Sequence, residues 1–158
     1  MANILILYHS KGGSTRKMAE AVGEGVDSEG VKKDIKRVNE ISVDDLLNYD
    51  GVIIGSPNYF GTMAAEIKDF VDKSVKYFKK LEGKVGGAFT STGMVGGGGE
   101  TTLMDIIKVL LVHGFIVQGE PNGGHFGPVA IGTPDENVLK QCRMLGAKVA
   151  RLAKNLGK

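Results

Sequence analysis

Apolar and polar positions along the chain fall into two recurring kinds of segment. Ile4-Leu5-Ile6-Leu7-Tyr8 and Val52-Ile53-Ile54 are continuous apolar runs rather than alternating ones, the pattern of strands covered on both faces. Between and after them come segments with helical spacing. Met18, Val22 and Val26 recur every fourth residue with Ala19 beside them, which predicts an amphipathic helix. Met63, Ile67, Phe70, Val71, Ser74 and Phe78 share a second helical stripe, with Asp69–Lys73 and Asp72–Lys76 as i,i+4 ion pairs on the far side. Leu103, Ile106, Ile107, Leu110 and Leu111 mark a third helix. Val138, Cys142, Leu145, Val149, Leu152 and Leu156 mark a fourth.

The remaining segments complete the order. Val31–Val38 is mixed and charged, as an edge strand would be. Ser42-Val43-Asp44-Asp45 resembles a capping box with Asp in the usual Glu place. Val85–Ser91 reads as a glycine-rich strand. Phe115-Ile116-Val117 and Val129-Ala130-Ile131 read as two halves of a last strand, split by the insertion Gly119–Pro128. Thr133-Pro134-Asp135-Glu136 predicts a helix start with Thr133 as N-cap, Pro134 at N1 and Glu136 at N3. The resulting βαβαβαβαβα order implies an α/β fold, a parallel sheet with helices on both faces. In such sheets ligands bind outside the carboxyl ends of the strands. That directs attention to the loops Ser10–Thr15, Ser56–Gly61, Ser91–Gly99 and Gly119–Pro128.

Composition narrows the function. The 158 residues fit a single domain spanning 1–158, with 42% apolar and 24% charged residues. Lys and Arg number 20 against 18 Asp and Glu, a balance that argues against nucleic acid or an anionic membrane as partner. The lone Cys142 excludes an internal disulfide and a cysteine-cluster metal site, and three scattered histidines make a poor metal site. The apolar runs fall short of the ~20 residues a membrane helix needs, and Met1–Ser10 has no basic leader. The expectation is a soluble, cytoplasmic protein without membrane insertion. Glycine is the outlier: 24 of 158 residues is about twice the usual ~7%. The excess is clumped at Gly12-Gly13, Gly86-Gly87, Gly96 to Gly99 and Gly123-Gly124, mostly in the loops already singled out.

Several chemistries open to this layout lack their residues. Tyr8-His9-Ser10 and Gly55-Ser56 stand where a phosphoacceptor domain needs acids. No Walker-type G-x-x-x-x-G-K-[ST] and no G-x-S-x-G elbow occur. Cys142 lies on a core helical stripe and reads as inert packing. The first loop carries positive evidence. Ser10, Lys11, Gly12, Gly13, Ser14 and Thr15 lie between a buried strand and a helix N-terminus, where free N–H groups and the helix dipole favour an anion. Hydroxyls and bare backbone in that loop suit a phosphate monoester, although an ordinary βα turn is the competing reading. The second loop, Pro57-Asn58-Tyr59-Phe60-Gly61, places two aromatics where a flat ring can stack, unless they fold back on the sheet as core. The third, Ser91-Thr92-Gly93-Met94 running through Gly97, offers hydroxyls and bare amides, or mere flexibility.

A phosphate end, a stacked ring and a backbone-lined polar edge describe a phosphorylated flat heterocycle, and flavin mononucleotide (FMN) fits. On Tyr8–Thr15, Gly55-Ser56-Pro57-x-x-Phe60-Gly61-x-Met63 and Phe89-Thr90-Ser91-Thr92-Gly93 with the following glycines and Glu100, the chain resembles the flavodoxin superfamily. It is especially similar to flavodoxin-like quinone oxidoreductases of the Trp-repressor-binding-protein type, and the likeness covers essentially the whole chain. The resemblance implies a three-layer sandwich around a five-stranded parallel sheet of order 2-1-3-4-5. It implies that Ser10 to Thr15 hold the FMN phosphate. Pro57, Asn58, Tyr59, Phe60 and Gly61 would line the isoalloxazine, with a Phe60 or Gly61 carbonyl able to reorient toward its N5 edge. Ser91, Thr92, Gly93, Met94 and Gly97 would contact the ribityl and pyrimidine atoms, and His113 would lie near the flavin. No side chain is expected to be catalytic in its own right.

Partners follow from the same resemblance: redox proteins for an electron carrier, or NAD(P)H and a quinone for a reductase, in a monomer or homodimer. The chain lacks the added loops of the longer reductases, which favours the carrier. It also lacks the acidity and the flavin-side Trp of ordinary flavodoxins. Lys68, Lys73, Lys76, Lys79, Lys80 and Lys84 form a basic stretch that reads as a solvated helix face or as a docking surface for an acidic partner.

Overall fold

The computed structural model describes residues 1–157. β1 (Asn3–Tyr8) opens the chain and leads to α1 (Ser14–Ser28) and β2 (Lys32–Arg37). Two short 3₁₀ turns, Val38–Glu40 and Val43–Asn48, lead to β3 (Gly51–Tyr59), β4 (Thr62–Met63) and α2 (Ala65–Lys73). β5 (Val85–Thr92), α3 (Gly99–Val112), β6 (Ile116–Val117), β7 (Val129–Ile131) and α4 (Glu136–Leu156) complete it. The central order is β2-β1-β3-β5-β6, all parallel. β6 and β7 both pair with β5 and share one position at the edge, as the split last strand predicts. β4 is an addition: it pairs antiparallel with the end of β3. The sheet thus has seven strands around the five expected positions.

β1 explains why its apolar run is continuous. Ile4, Ile6 and Tyr8 enter one core with Met18, Val22, Cys142 and Val149, while Leu5 and Leu7 enter the other with Ile67, Leu103 and Ile106. Successive side chains of a strand point to opposite faces, and here both faces are covered. Burial pushes the Cys142 thiol up to about 12, so the residue sits in the core as a neutral group.

Three local expectations are corrected. The second helical stripe ends early: after Lys73 the chain tightens into a 3₁₀ turn over Ser74–Tyr77, where Ser74 Oγ donates back to the Val71 carbonyl at 2.6 Å. Lys76 therefore leaves the 3.6-residue register and pairs with Asp44, while Asp72 takes Lys68 instead, and Phe78 is half-exposed. At α4 the N-cap is Asp135 rather than Thr133, its Oδ1 accepting from the Val138 amide at 2.9 Å, so Pro134 precedes the cap. Leu111 and Leu156, placed on buried stripes by spacing, are exposed at helix ends.

α1 and α4 cross backbone to backbone. A Cβ on Gly25 would lie 1.9 Å from the Arg143 carbonyl oxygen, and one on Gly146 would lie 1.9 Å from that of Val22. Backbone cannot rotate aside as a side chain can, so the helices must separate to admit a methyl. Gly146→Ala is expected to lower unfolding free energy by at least about 2 kcal/mol, within or beyond the usual overpacking range. Gly12→Ala, which meets nothing within 4 Å, changes it by less than about 1 kcal/mol. Urea unfolding of the two variants checks this.

Candidate functional site

The carboxyl ends of β1, β3 and β5 bring three of the four loops to one edge. In the first, Gly13 occupies the N-cap of α1 with φ 98° and provides no side-chain cap. Ser10 Oγ accepts from the Gly13 amide at 3.2 Å and the Arg16 amide at 3.3 Å, which folds the loop into a ring. Among the described residues, the amides of Gly12, Ser14 and Thr15 have no protein acceptor. No acidic residue lies in the first turn of α1. The free amides and the positive end of the helix dipole thus face outward from a cradle that suits an anion. Arg37 supports it from β2, donating to the Ser10 carbonyl at 3.0 Å with its guanidinium 5.5 Å from the Tyr8 ring centroid.

The second loop is a hairpin rather than an open loop. β3 runs on through Tyr59, Asn58 pairs with Met63 and Tyr59 with Thr62, and Phe60-Gly61 form a two-residue turn. Their φ values, 54° and 78°, are both positive, as a type I′ turn requires. For a phenylalanine that conformation costs about 1–2 kcal/mol, strain of the kind found at ligand clamps. The Phe60 ring is fully exposed, and Tyr59, Met94 and Val95 are exposed on the same two loops. The edge is an open apolar shelf beside an anion cradle, and both aromatics stay out of the core.

Side-chain hydrogen bonds hold the three loops to one another. Asn58 Nδ2 donates to Thr92 Oγ1 at 2.9 Å and to the Gly97 carbonyl at 2.7 Å. Asn58 Oδ1 accepts from the Gly61 amide at 2.8 Å and lies 3.2 Å from Thr102 Oγ1, whose single proton is shared with the nearer Gly98 carbonyl at 2.8 Å. Three hydrogen-bonding positions of the amide are filled outright and the fourth shares the Thr102 proton. Thr15 and Ser91 share a buried hydroxyl pair at 2.9 Å, tying α1 to the end of β5. Thr101 Oγ1 lies 2.7 Å from the Gly61 carbonyl and 2.9 Å from that of Gly98. Gly98 comes so close to the hairpin that a Cβ there would lie 2.5 Å from Gly61 Cα.

Ser10 to Thr15, Pro57 to Gly61, Ser91 to Met94 and Gly97 are therefore gathered at one edge. Asn58, Thr15, Ser91 and Thr92 turn polar groups inward to join the loops. Thr101, Thr102 and Arg37 also join the edge without having been singled out. The two threonines follow the glycine run and Glu100 and were within reach of the motif reading, whereas Arg37 arrives only through the pairing of β2 with β1. His113 is not at this edge. It caps the far end of α3, whose 14 residues put it ~21 Å from the loops. There its Nε2 lies 2.7 Å from Ser74 Oγ, and Nδ1 is buried without a partner. The place near the flavin that the family resemblance implies for His113 is thus not at this edge of its own chain. His9 lies 3.7 Å from Glu66, and His125 Nδ1 sits 2.7 Å from the Glu120 carbonyl in the insertion. Half of the basic stretch is neutralised: Lys68, Lys73 and Lys76 each have an aspartate partner, whereas Lys79, Lys80 and Lys84 enter no ion pair among the described residues.

Two outcomes follow. Replacing Asn58 by alanine removes three full bonds and one shared one at about 1 kcal/mol or less apiece, so unfolding free energy falls by about 2 kcal/mol. Hydrogen exchange at Gly61 and Gly97 accelerates while that at Ile6 does not. Burial holds His113 below the ordinary histidine value, so the unfolded chain binds the proton first as pH falls. Stability is full above the unfolded value, near 6.5, and declines as pH drops through it toward the folded value. His113→Gln flattens that decline, read by urea unfolding at pH 7.5 and pH 5.

A family model described as a flavodoxin domain matches residues 5–99. An NAD(P)H dehydrogenase (quinone) of Archaeoglobus fulgidus is 35% identical over 190 aligned positions, covering 99% of this chain and all of the relative. A flavodoxin of Aquifex aeolicus is 36% identical over 159 positions, covering 95% of this chain and 86% of the relative. Among solved structures, a WrbA-like flavodoxin from Agrobacterium tumefaciens superimposes with a TM-score of 0.85 at 29% identity, covering 98% of this chain and 99% of that one. The matched family model and these near-full-length relatives place the chain in the flavodoxin family.

Proposed function

We propose that this protein binds FMN and carries electrons between partner proteins in the cytoplasm. The observation that carries the reading is the α1 N-terminus, opened on Gly13 without a side-chain cap and leaving amides that suit an outside anion. Bound FMN supplies the redox chemistry, accepting and releasing electrons at its ring. The residues of the chain do the rest. Ser10 to Thr15 grip the phosphate through backbone amides and short hydroxyls, with Lys11 adding positive charge at the rim. Tyr59 and Phe60 offer aromatic faces to the ring, and the strained turn at Phe60-Gly61 keeps Phe60 outside the core. Ser91 to Met94 and Gly97 border the polar edge. Thr101 holds the Gly61 carbonyl toward α3, so that carbonyl must give up one hydrogen bond to face a ligand.

The carrier is preferred over a reductase because of what the chain omits. The alignment with the Archaeoglobus quinone dehydrogenase runs to 190 positions against 158 residues here, so part of that relative stands opposite gaps. The alignment with the Aquifex flavodoxin runs to 159. The second reading, an NAD(P)H-dependent quinone or FMN reductase, is favoured by the shared name of several relatives.

Anaerobic stopped-flow mixing separates the two. The carrier reading expects no bleaching of the bound flavin by NADPH or NADH alone within minutes, and full bleaching once a flavodoxin reductase is added. Rapid bleaching by the nicotinamide alone, followed by reoxidation with benzoquinone, would establish the reductase instead.

A further inference from the structure

The insertion that divides the last strand builds a second concave site. β6 pairs with β5 only at Val85 and Gly86, and β7 only from Thr90 to Thr92. The edge of β5 at Gly87 and Ala88 consequently has no strand beside it. Segment 118–128 passes over this window, and between it, the window and α4 lies a cavity of about 290 Å³. That is near the lower end of ligand pockets, roughly 300–1,000 Å³, and far above the space of one water, about 30 Å³. None of its lining residues belongs to the three loops of the proposed FMN site.

The arch over the window is braced rather than slack. Lys148 Nζ donates to the Gly119 carbonyl at 3.0 Å and to the Glu120 carboxylate. The Asn122 amide donates to Glu120 Oε1 at 2.9 Å, and the Glu120 amide to the His125 carbonyl at 3.2 Å. The cavity is thus formed in advance, and a ligand would not have to order the segment.

Its surfaces indicate the chemistry of an occupant. Gly87 and Ala88 contribute only the narrow backbone edge of β5, their faces being covered by Leu145 and Val149 of α4 and by the opposite core, so the room lies beside that edge. Phe126 and Met144 line the cavity with apolar groups that remain 48% and 38% exposed. Lys148 is neutralised by Glu120. Lys140, which also lines the cavity, enters no ion pair among the described residues and leaves one uncompensated positive charge. We infer that this cavity binds a small planar aromatic monoanion, an aromatic carboxylate of one or two rings, packed against Phe126 and Met144 beside the open edge of β5 with its charge toward Lys140.

The test is a titration of the purified protein, with and without saturating FMN, by 2-naphthoate and by neutral 2-naphthamide, followed by ¹H–¹⁵N and Met-methyl NMR. The expected result is saturable shifts at Gly87, Ala88, Phe126 and the Met144 methyl that FMN does not displace. 2-Naphthamide should bind, and the exposed-residue variant Lys140→Gln be bound, about tenfold more weakly, the loss of one charge contact of ~1.4 kcal/mol. Met144→Trp, which fills the cavity, should abolish the shifts. Absence of saturable shifts at millimolar naphthoate would overturn the proposal. So would equal affinity for acid and amide, or shifts confined to residues 10–15 and 57–61 and lost with FMN.

Discussion

At the start of α1 the chain leaves backbone amides unsatisfied at the carboxyl edge of a parallel sheet, and much else is arranged around them. A helix must find partners for its first N–H groups, and α4 does so with Asp135. α1 instead begins on Gly13 in a left-handed conformation, with Ser10 Oγ serving only the amides of Gly13 and Arg16. No carboxylate in the first turn competes for the dipole. The order β2-β1-β3-β5-β6 places β1 between β2 and β3, so this cradle stands beside the hairpin at the end of β3.

The loops owe their positions to a stiff base. Two apolar cores fix β1, β3 and β5 from both faces. Above that base, hydroxyl and amide side chains link one loop to the next: Thr15 to Ser91, and Asn58 to Thr92, Gly97, Gly61 and Thr102. Such links keep a shelf in place whose own aromatic side chains are exposed. They also explain why polar residues that look like ligand contacts in the sequence spend their hydrogen bonds on one another.

The architecture was legible because continuous apolar runs and 3.6-residue stripes report burial directly, and the edge loops were legible because glycine and hydroxyl residues cluster there. What escaped depended on partners distant in sequence. β4 exists only because Thr62-Met63 folds back on Asn58-Tyr59, and a two-residue strand has too short a period to read. The role of Asn58 as a clamp needs Thr92, Gly97 and Thr102 to arrive from beyond α2. α2 ends early through a Ser74 hydroxyl turned onto its own helix, although the apolar spacing continues to Phe78. The close crossing at Gly25 and Gly146 involves glycines outside every clump, so abundance was no guide to them. His113 was placed near the flavin by family resemblance alone, and a resemblance in sequence does not carry the length of α3 that sets it far from the loops of its own chain.

The central claim is that the cradle at Ser10–Thr15 binds a dianionic phosphate. Calorimetric titration of the flavin-free protein with FMN and riboflavin side by side tests it most directly. The account predicts that FMN binds at least about a hundredfold more tightly, a difference of ~2.7 kcal/mol, and that the gap narrows as salt rises. Equal affinity for the two flavins, or no binding of either, would contradict it.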